Sequence, residues 1–202
     1  MQEYKLSMEL TEPMLGTIPK NPDIYADWVK TQTNLKTDEE APEETEAKSW
    51  TGFHSDENGL YIMDYMVKGF LKEAASILPH ALEIHKKSGE TLSGQTVKRR
   101  VENWVFVFPR RIYLGKKEPD GLIERPLRAM TMRGERITLV RSDQVNAGTK
   151  LEATLKVLDC PITEKTLRTW LDYGALKGLG QWRNASFGRF SYELAILPTS
   201  QS

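Results

Sequence analysis

Thirteen residues near the C-terminus, Gly178-Leu179-Gly180-Gln181-Trp182-Arg183-Asn184-Ala185-Ser186-Phe187-Gly188-Arg189-Phe190, hold three glycines, two arginines and three aromatics. Glycine admits positive φ and lets a backbone approach another group closely. Successive N–H groups in such a turn form a concavity for an anion. Arginine adds charge and a planar face that stacks on bases. The spacing therefore suits a grip on a sugar–phosphate backbone. In that reading Gly180 and Gly188, with Gly178 beside them, give the close approach, Arg183 and Arg189 meet phosphates, and Trp182 either stacks a base or lies in the core.

Further positive charge lies at Lys98-Arg99-Arg100 and Arg110-Arg111, on either side of the apolar run Trp104–Pro109. Charge at both ends of one strand would line the edges of a sheet, and single strands cross such faces in RNA-recognition folds. Trp104, Phe106 and Phe108 share one side of that strand and read as core. Support for catalysis is thin. His54, in a loop beside Ser55, Asp56 and Glu57, is the best general base among the three histidines. Asp56, two residues on, is a second and weaker candidate. No HExxH, CxxC or Walker-type pattern and no nucleophile elbow occurs in the sequence, so we expect neither a metal nor a cofactor.

The elements that must position these groups follow from periodicity. Tyr4–Glu12 alternates as a first strand, and Gly59–Met63 is strand-like. Asp64 is placed to cap a helix through about Pro79, with Val67, Phe70, Leu71, Ala74, Ala75 and Leu78 on its apolar side. A second helical piece runs to about Lys87, and Ser88–Thr96 reads as loop. Trp104–Pro109 is a strand that Ile112–Leu114 extends, and Leu127–Thr131 and Ile137–Arg141 flank a turn at Gly134. Leu151–Leu158 alternates cleanly. Thr163 caps a helix that Gly174 ends, and Phe190–Leu197 is the last strand. The order β–α–β–β–β–β–α–β predicts an α+β fold, ferredoxin-like or RRM-like, with an antiparallel sheet, two helices on one face and loop insertions.

The chain has 202 residues, 39% of them hydrophobic and 28% charged, with a formal net charge of zero. That composition fits one globular domain over 1–202. The charge is uneven: residues 1–60 carry 5 basic and 13 acidic side chains, whereas Lys98–Arg141 carries 12 basic and 5 acidic. Thr37–Lys48 is acidic and lacks large apolar residues, so it reads as a solvated insertion. Asp23–Thr33 reads as a short helix. An acidic lobe and a basic body favour nucleic acid or head-to-tail self-assembly. The single Cys160 excludes an internal disulfide. No apolar run approaches a membrane span and the N-terminus lacks a secretory pattern, so the expected site is the cytoplasm.

The C-terminal third resembles the closing unit of the RAMP superfamily, the ferredoxin-like RNA-binding proteins of CRISPR effector complexes. The resemblance rests on Leu176, Gly178-Leu179-Gly180 and Phe187-Gly188-Arg189-Phe190, which follow the pattern hydrophobic-G-x-G, a polar or basic stretch, then hydrophobic-G-basic-hydrophobic. A second echo is Gly59-Leu60-Tyr61-Ile62 leading to Lys68-Gly69-Phe70, where backbone subunits carry a strand, a Ser/Lys/Gly-rich segment and a helix. The chain departs at Met63-Asp64-Tyr65, where the family carries Pro-Gly-Ser. Overall the chain is also similar to small phage-encoded RAMP-like proteins. The resemblance implies single-stranded RNA or DNA as partner, Lys68 as a further contact, and a homo-oligomer or a subunit of a nucleoprotein complex in a bacterial host cell. It leaves open an endoribonuclease of the same fold, or a phage protein that imitates a CRISPR backbone subunit.

Overall fold

The structure is a computed structural model that describes residues 1–20, 50–82, 92–131, 134–158 and 161–198. The expected helix at Asp23–Thr33, the acidic stretch Thr37–Lys48, the second helical piece to Lys87 with His85, and Cys160 lie outside the described residues.

Strand β1 (Gln2–Leu10) buries Tyr4, Leu6, Met8 and Leu10 and exposes Lys5 and Glu9, as the period of two demands. It pairs antiparallel with β11 (Lys150–Val157) on one side and β12 (Phe190–Leu197) on the other. Strand β7 (Val105–Phe108) pairs antiparallel with β11 and completes a sheet ordered β12-β1-β11-β7. Helix α1 (Asp64–Ile77) precedes β7, and helix α3 (Glu164–Lys177) connects β11 to β12. The unit β1-α1-β7-β11-α3-β12, with spatial order 4-1-3-2, is the ferredoxin-like arrangement. Val67, Phe70, Leu71, Ala74 and Ala75 of α1 and Leu167, Trp170 and Leu171 of α3 fill one core with the inward strand residues. The opposite face of the sheet faces solvent.

The structure corrects several expectations. Gly94–Trp104 is a helix, α2, capped by the Ser93 side chain, so Lys98, Arg99 and Arg100 lie on a helix and not on a strand edge. Its apolar stripe is narrow, with Val97 and Val101 buried one turn apart in an otherwise polar segment that reads as loop. Trp104 ends α2, and in β7 it is Val105 and Val107 that point inward. Phe106 and Phe108 stand outward, 38% and 46% exposed, over Lys68 and Lys156 respectively. A two-residue period fixes which residues share a side but not which side faces the core.

Ile112 belongs to a separate strand, β8 (Arg111–Tyr113), beyond the cis Phe108–Pro109 bond. Strand β8 joins β5 (His54–Asp56) and β6 (Gly59–Met63) in a second sheet, ordered β5-β6-β8. A third sheet is built on the long hairpin of β9 (Gly121–Thr131) and β10 (Gly134–Val145), with β2 (Met14–Leu15), β3 (Ile18–Pro19) and β4 (Thr51–Gly52).

Helix α1 begins at Asp64 itself, behind Met63, and gains no side-chain cap. Thr163 caps α3 through its hydroxyl, which accepts from the Thr166 amide at 3.3 Å. Thr163→Ala should lower stability by about 1 kcal/mol, read as a shift of the urea midpoint at constant slope. Gly174 does not end α3. It lies where the helix crosses α1, and a Cβ there would strike the Phe70 ring. The helix runs on to Lys177, and Gly178, at φ 87°, takes the C-cap.

Candidate nucleic-acid interface

The glycine-rich loop is built by its own packing. Gly178, Gly180 and Gly188 all have positive φ. A Cβ on Gly178 would meet the Phe187 carbonyl, one on Gly180 the Leu15 carbonyl, and one on Gly188 the Leu179 carbonyl. Between them Leu179, 2% exposed, plugs the core. The amides of Leu179, Gly188 and Gln181 donate to the carbonyls of Gly188 (2.9 Å), Pro13 (2.8 Å) and Leu15 (3.4 Å). Those N–H groups thus turn inward and fasten the loop to residues 13–15, rather than opening outward as the sequence reading has it. The glycines supply a rigid mount whose outer arch carries the polar side chains.

Arg183 reaches from that arch to α1, where its Nη1 donates to Glu73 Oε2 at 2.8 Å. The Tyr173 hydroxyl donates to Glu73 Oε1 at 2.9 Å. Partial burial pushes the Glu73 carboxyl up, but the hydrogen bonds from Arg183 and Tyr173 outweigh it and hold the group below its ordinary value. A depressed carboxylate stabilises the fold fully above its unfolded value, about 4.3. That contribution is lost as pH falls through the lower folded value. Glu73→Gln should therefore flatten the acid limb of a plot of urea midpoint against pH below about 4.3.

Trp182 sits at φ 53° and is 42% exposed. Its ring stacks on Phe187 at 5.3 Å and lies 4.5 Å from the guanidinium of Arg125. Arg125 is buried, and its Nη2 donates to Gln181 Oε1 at 3.2 Å. Nothing in the sequence distinguished Arg125 from the exposed basic residues around it. Arg189 is exposed and its Nε donates to the Leu176 carbonyl at 2.9 Å.

A cleft of about 740 Å³ opens between this loop and α1. Gly178, Leu179, Gly180 and Arg183 form one wall, and Met63, Tyr65, Met66, Gly69, Phe70 and Glu73 form the other. Thr17, Ile18, Pro19 and His54 close the remaining side. Its lining is mainly apolar, with a few polar groups converging, as in small-molecule and base pockets. A Cβ on Gly69 would have nothing within 4 Å. Gly69→Ala should accordingly stabilise α1 by about 0.5–1 kcal/mol, measured by urea unfolding.

At the His54 end, His54 stacks on Tyr61 at 5.2 Å, and Arg111 lies 5.2 Å from the same ring. Burial first, and Arg111 second, hold the His54 imidazole below its ordinary value. Asp56 accepts from Arg111 at 2.7 Å, from Tyr113 at 2.9 Å and from the Asn58 amide at 2.9 Å, so its oxygens are engaged. The Arg110 carbonyl accepts the Asp64 amide at 3.0 Å, which places Arg110 at the start of α1.

Two predicted groups lie elsewhere. Lys68 turns away from the cleft, its Nζ donating to the Glu102 carbonyl at 2.9 Å in the last turn of α2 and lying 4.9 Å from the Phe106 ring. Desolvation, then the neighbouring Lys72, lowers its pKa. Of the α2 cations, Arg100 lies 5.2 Å from the Trp104 ring. Sequence reasoning missed Tyr65, Glu73 and Met66, because at helical spacing they look like any solvent-edge residues.

No family model matches the chain, and no curated protein matches it either. Among solved structures the chain is similar to one in the cryo-EM structure of the type III-B Cmr-beta bound to cognate target RNA. The two are 10% identical with a TM-score of 0.49, over 97% of this chain and 60% of the other. The present chain thus spans about three-fifths of that chain's length. Among the described residues, no helix is long and apolar enough to cross a membrane.

Proposed function

We propose that this protein binds single-stranded nucleic acid, RNA in preference to DNA, without cutting it, and that the strand lies along the cleft between the glycine-rich loop and α1. One observation carries this reading. The two segments singled out in the sequence, Lys68-Gly69-Phe70 and the loop at 178–189, lie more than a hundred residues apart and come together so that Gly69 and Phe70 face Gly178, Gly180 and Arg183 across one cleft. Arg110 adds positive charge at the His54 end, and Lys177 and Arg189 add it at the loop end, whereas Arg111 and Arg183 are matched by Asp56 and Glu73. Phosphates track these charges while bases turn toward the apolar lining. Outside residues 21–49 the sequence carries five more basic than acidic side chains, which favours a polyanion.

Filter binding of labelled single-stranded RNA and DNA over a salt series tests the proposal. Phosphate contacts make log K fall linearly with log salt, and a flat or absent dependence overturns it. Gly69→Leu projects a side chain into the open cleft from a helix that tolerates it, so it should abolish binding while keeping the fold. Part of the same proposal is that copies line up head to tail, acidic lobe against basic body. Light scattering of the eluting protein with and without RNA checks this, and a monomer in both conditions refutes it.

One observation favours a second reading, a metal-independent endoribonuclease. His54 lies in the cleft and is held neutral at pH 7, as a general base must be. Labelled RNA incubated with the unmodified protein and with His54→Ala decides between the two, and intact RNA in both ends the nuclease reading.

A further inference from the structure

The cleft holds a carboxylate and a guanidinium side by side. Glu73 spends one lone pair of Oε1 on Tyr173 and one of Oε2 on Arg183. A carboxylate offers about four acceptor positions, so two stay open. Arg183 spends one of its five donors on Glu73 and keeps the others. Both side chains are 30% exposed and line the cleft, so the free positions are reachable. Tyr173 and Arg183 hold the carboxylate in place, so a ligand meets a preorganised edge.

A base entering this cleft meets two adjacent acceptors beside a cationic donor. Guanine alone presents two adjacent donors, N1–H and N2–H, next to the acceptor O6. Adenine and cytosine set a ring-nitrogen acceptor beside their amino group, which faces one carboxylate oxygen with a lone pair. Uracil flanks its single N–H with two carbonyl oxygens, both repelled by a carboxylate. A site built to hydrogen-bond one edge rejects a base that leaves its buried polar groups unpaired. Met63, Met66 and Phe70 supply the apolar lining, and Tyr65, 56% exposed, stands at the lip where a ring can stack.

We infer that the cleft takes one unstacked guanine base, its N1–H and N2–H on Glu73 and its O6 on Arg183. This rests on the binding reading above and adds a sequence preference at one nucleotide. The test uses fluorescence anisotropy with four labelled RNA decamers: oligo-U alone, and oligo-U with a single central G, A or C, a design that avoids guanine quadruplexes. We expect the G-containing decamer to bind about tenfold more tightly than the other three, the discrimination of one good bidentate base contact. Glu73→Gln should collapse that ratio toward one. Competition with the unmodified protein needs no variant, and GMP should displace labelled RNA at lower concentration than AMP, CMP or UMP. Equal affinity for all four decamers overturns the guanine preference and leaves the binding reading standing. Failure of every decamer to bind overturns the binding reading itself.

Discussion

Trp170→Ala is expected to lower the stability of this protein by about 3–5 kcal/mol, the range for truncating a large buried aromatic. Trp170 is fully buried on α3, among the core residues of both helices and the four-stranded sheet. Its Nε1 donates to the Leu78 carbonyl at 3.3 Å, just past the end of α1. Truncation removes the largest side chain in the core and takes a donor from a carbonyl where α1 ends. Urea unfolding followed by far-UV circular dichroism checks this, with the slope unchanged and the midpoint lowered. A loss below about 1 kcal/mol would contradict the central place given to α3, because large core truncations cost several times that.

The second large effect is expected at Gly188. At φ 73° a side-chain-bearing residue costs about 1–2 kcal/mol, and overpacking against the Leu179 carbonyl adds about 1–3 kcal/mol. Gly188→Ala should therefore destabilise the protein by several kcal/mol and loosen the wall that carries Arg183, and if the proposed function holds RNA affinity should fall with it. Gly115 separates the two contributions. Its φ is 67°, but a Cβ there would have nothing within 4 Å. Gly115→Ala should show only the conformational part. Equal losses at the two positions would mean that Gly188 is not tightly packed.

The ferredoxin-like core was legible because its central strand β11 alternates without ambiguity. Leu151, Ala153, Leu155 and Val157 face inward as read, as do Phe190 and Leu194. The Thr163 cap was legible too, since threonine is a preferred N-cap residue just ahead of the apolar run Leu167, Trp170 and Leu171. Helix α2 was not, because Val97, Val101 and Trp104 keep helical spacing but stand among polar and charged residues that read as loop. Phe106 and Phe108 were assigned inward because aromatic side chains are usually buried, whereas the β-branched Val105 and Val107 take that place. For the site, the glycine pattern located the loop, and the resemblance located Lys68-Gly69. Of that second pair it is the glycine that reaches the cleft, while the lysine serves the end of α2. The partnership of Arg183 with Glu73 and Tyr173 spans about a hundred residues of sequence, and no local pattern encodes a contact of that range.

The open face of the main sheet sets a boundary on what a bound polymer can do. Glu3, Glu9, Glu152 and Glu193 share it with Lys5, Lys150 and Lys156, and all three lysines are matched to glutamates across the strands. That face holds no surplus of cations for a phosphate to find. If the cleft holds a strand as proposed, that strand finds no second track on this face, so each molecule would shield a short footprint, and coverage of a long transcript would grow by adding molecules.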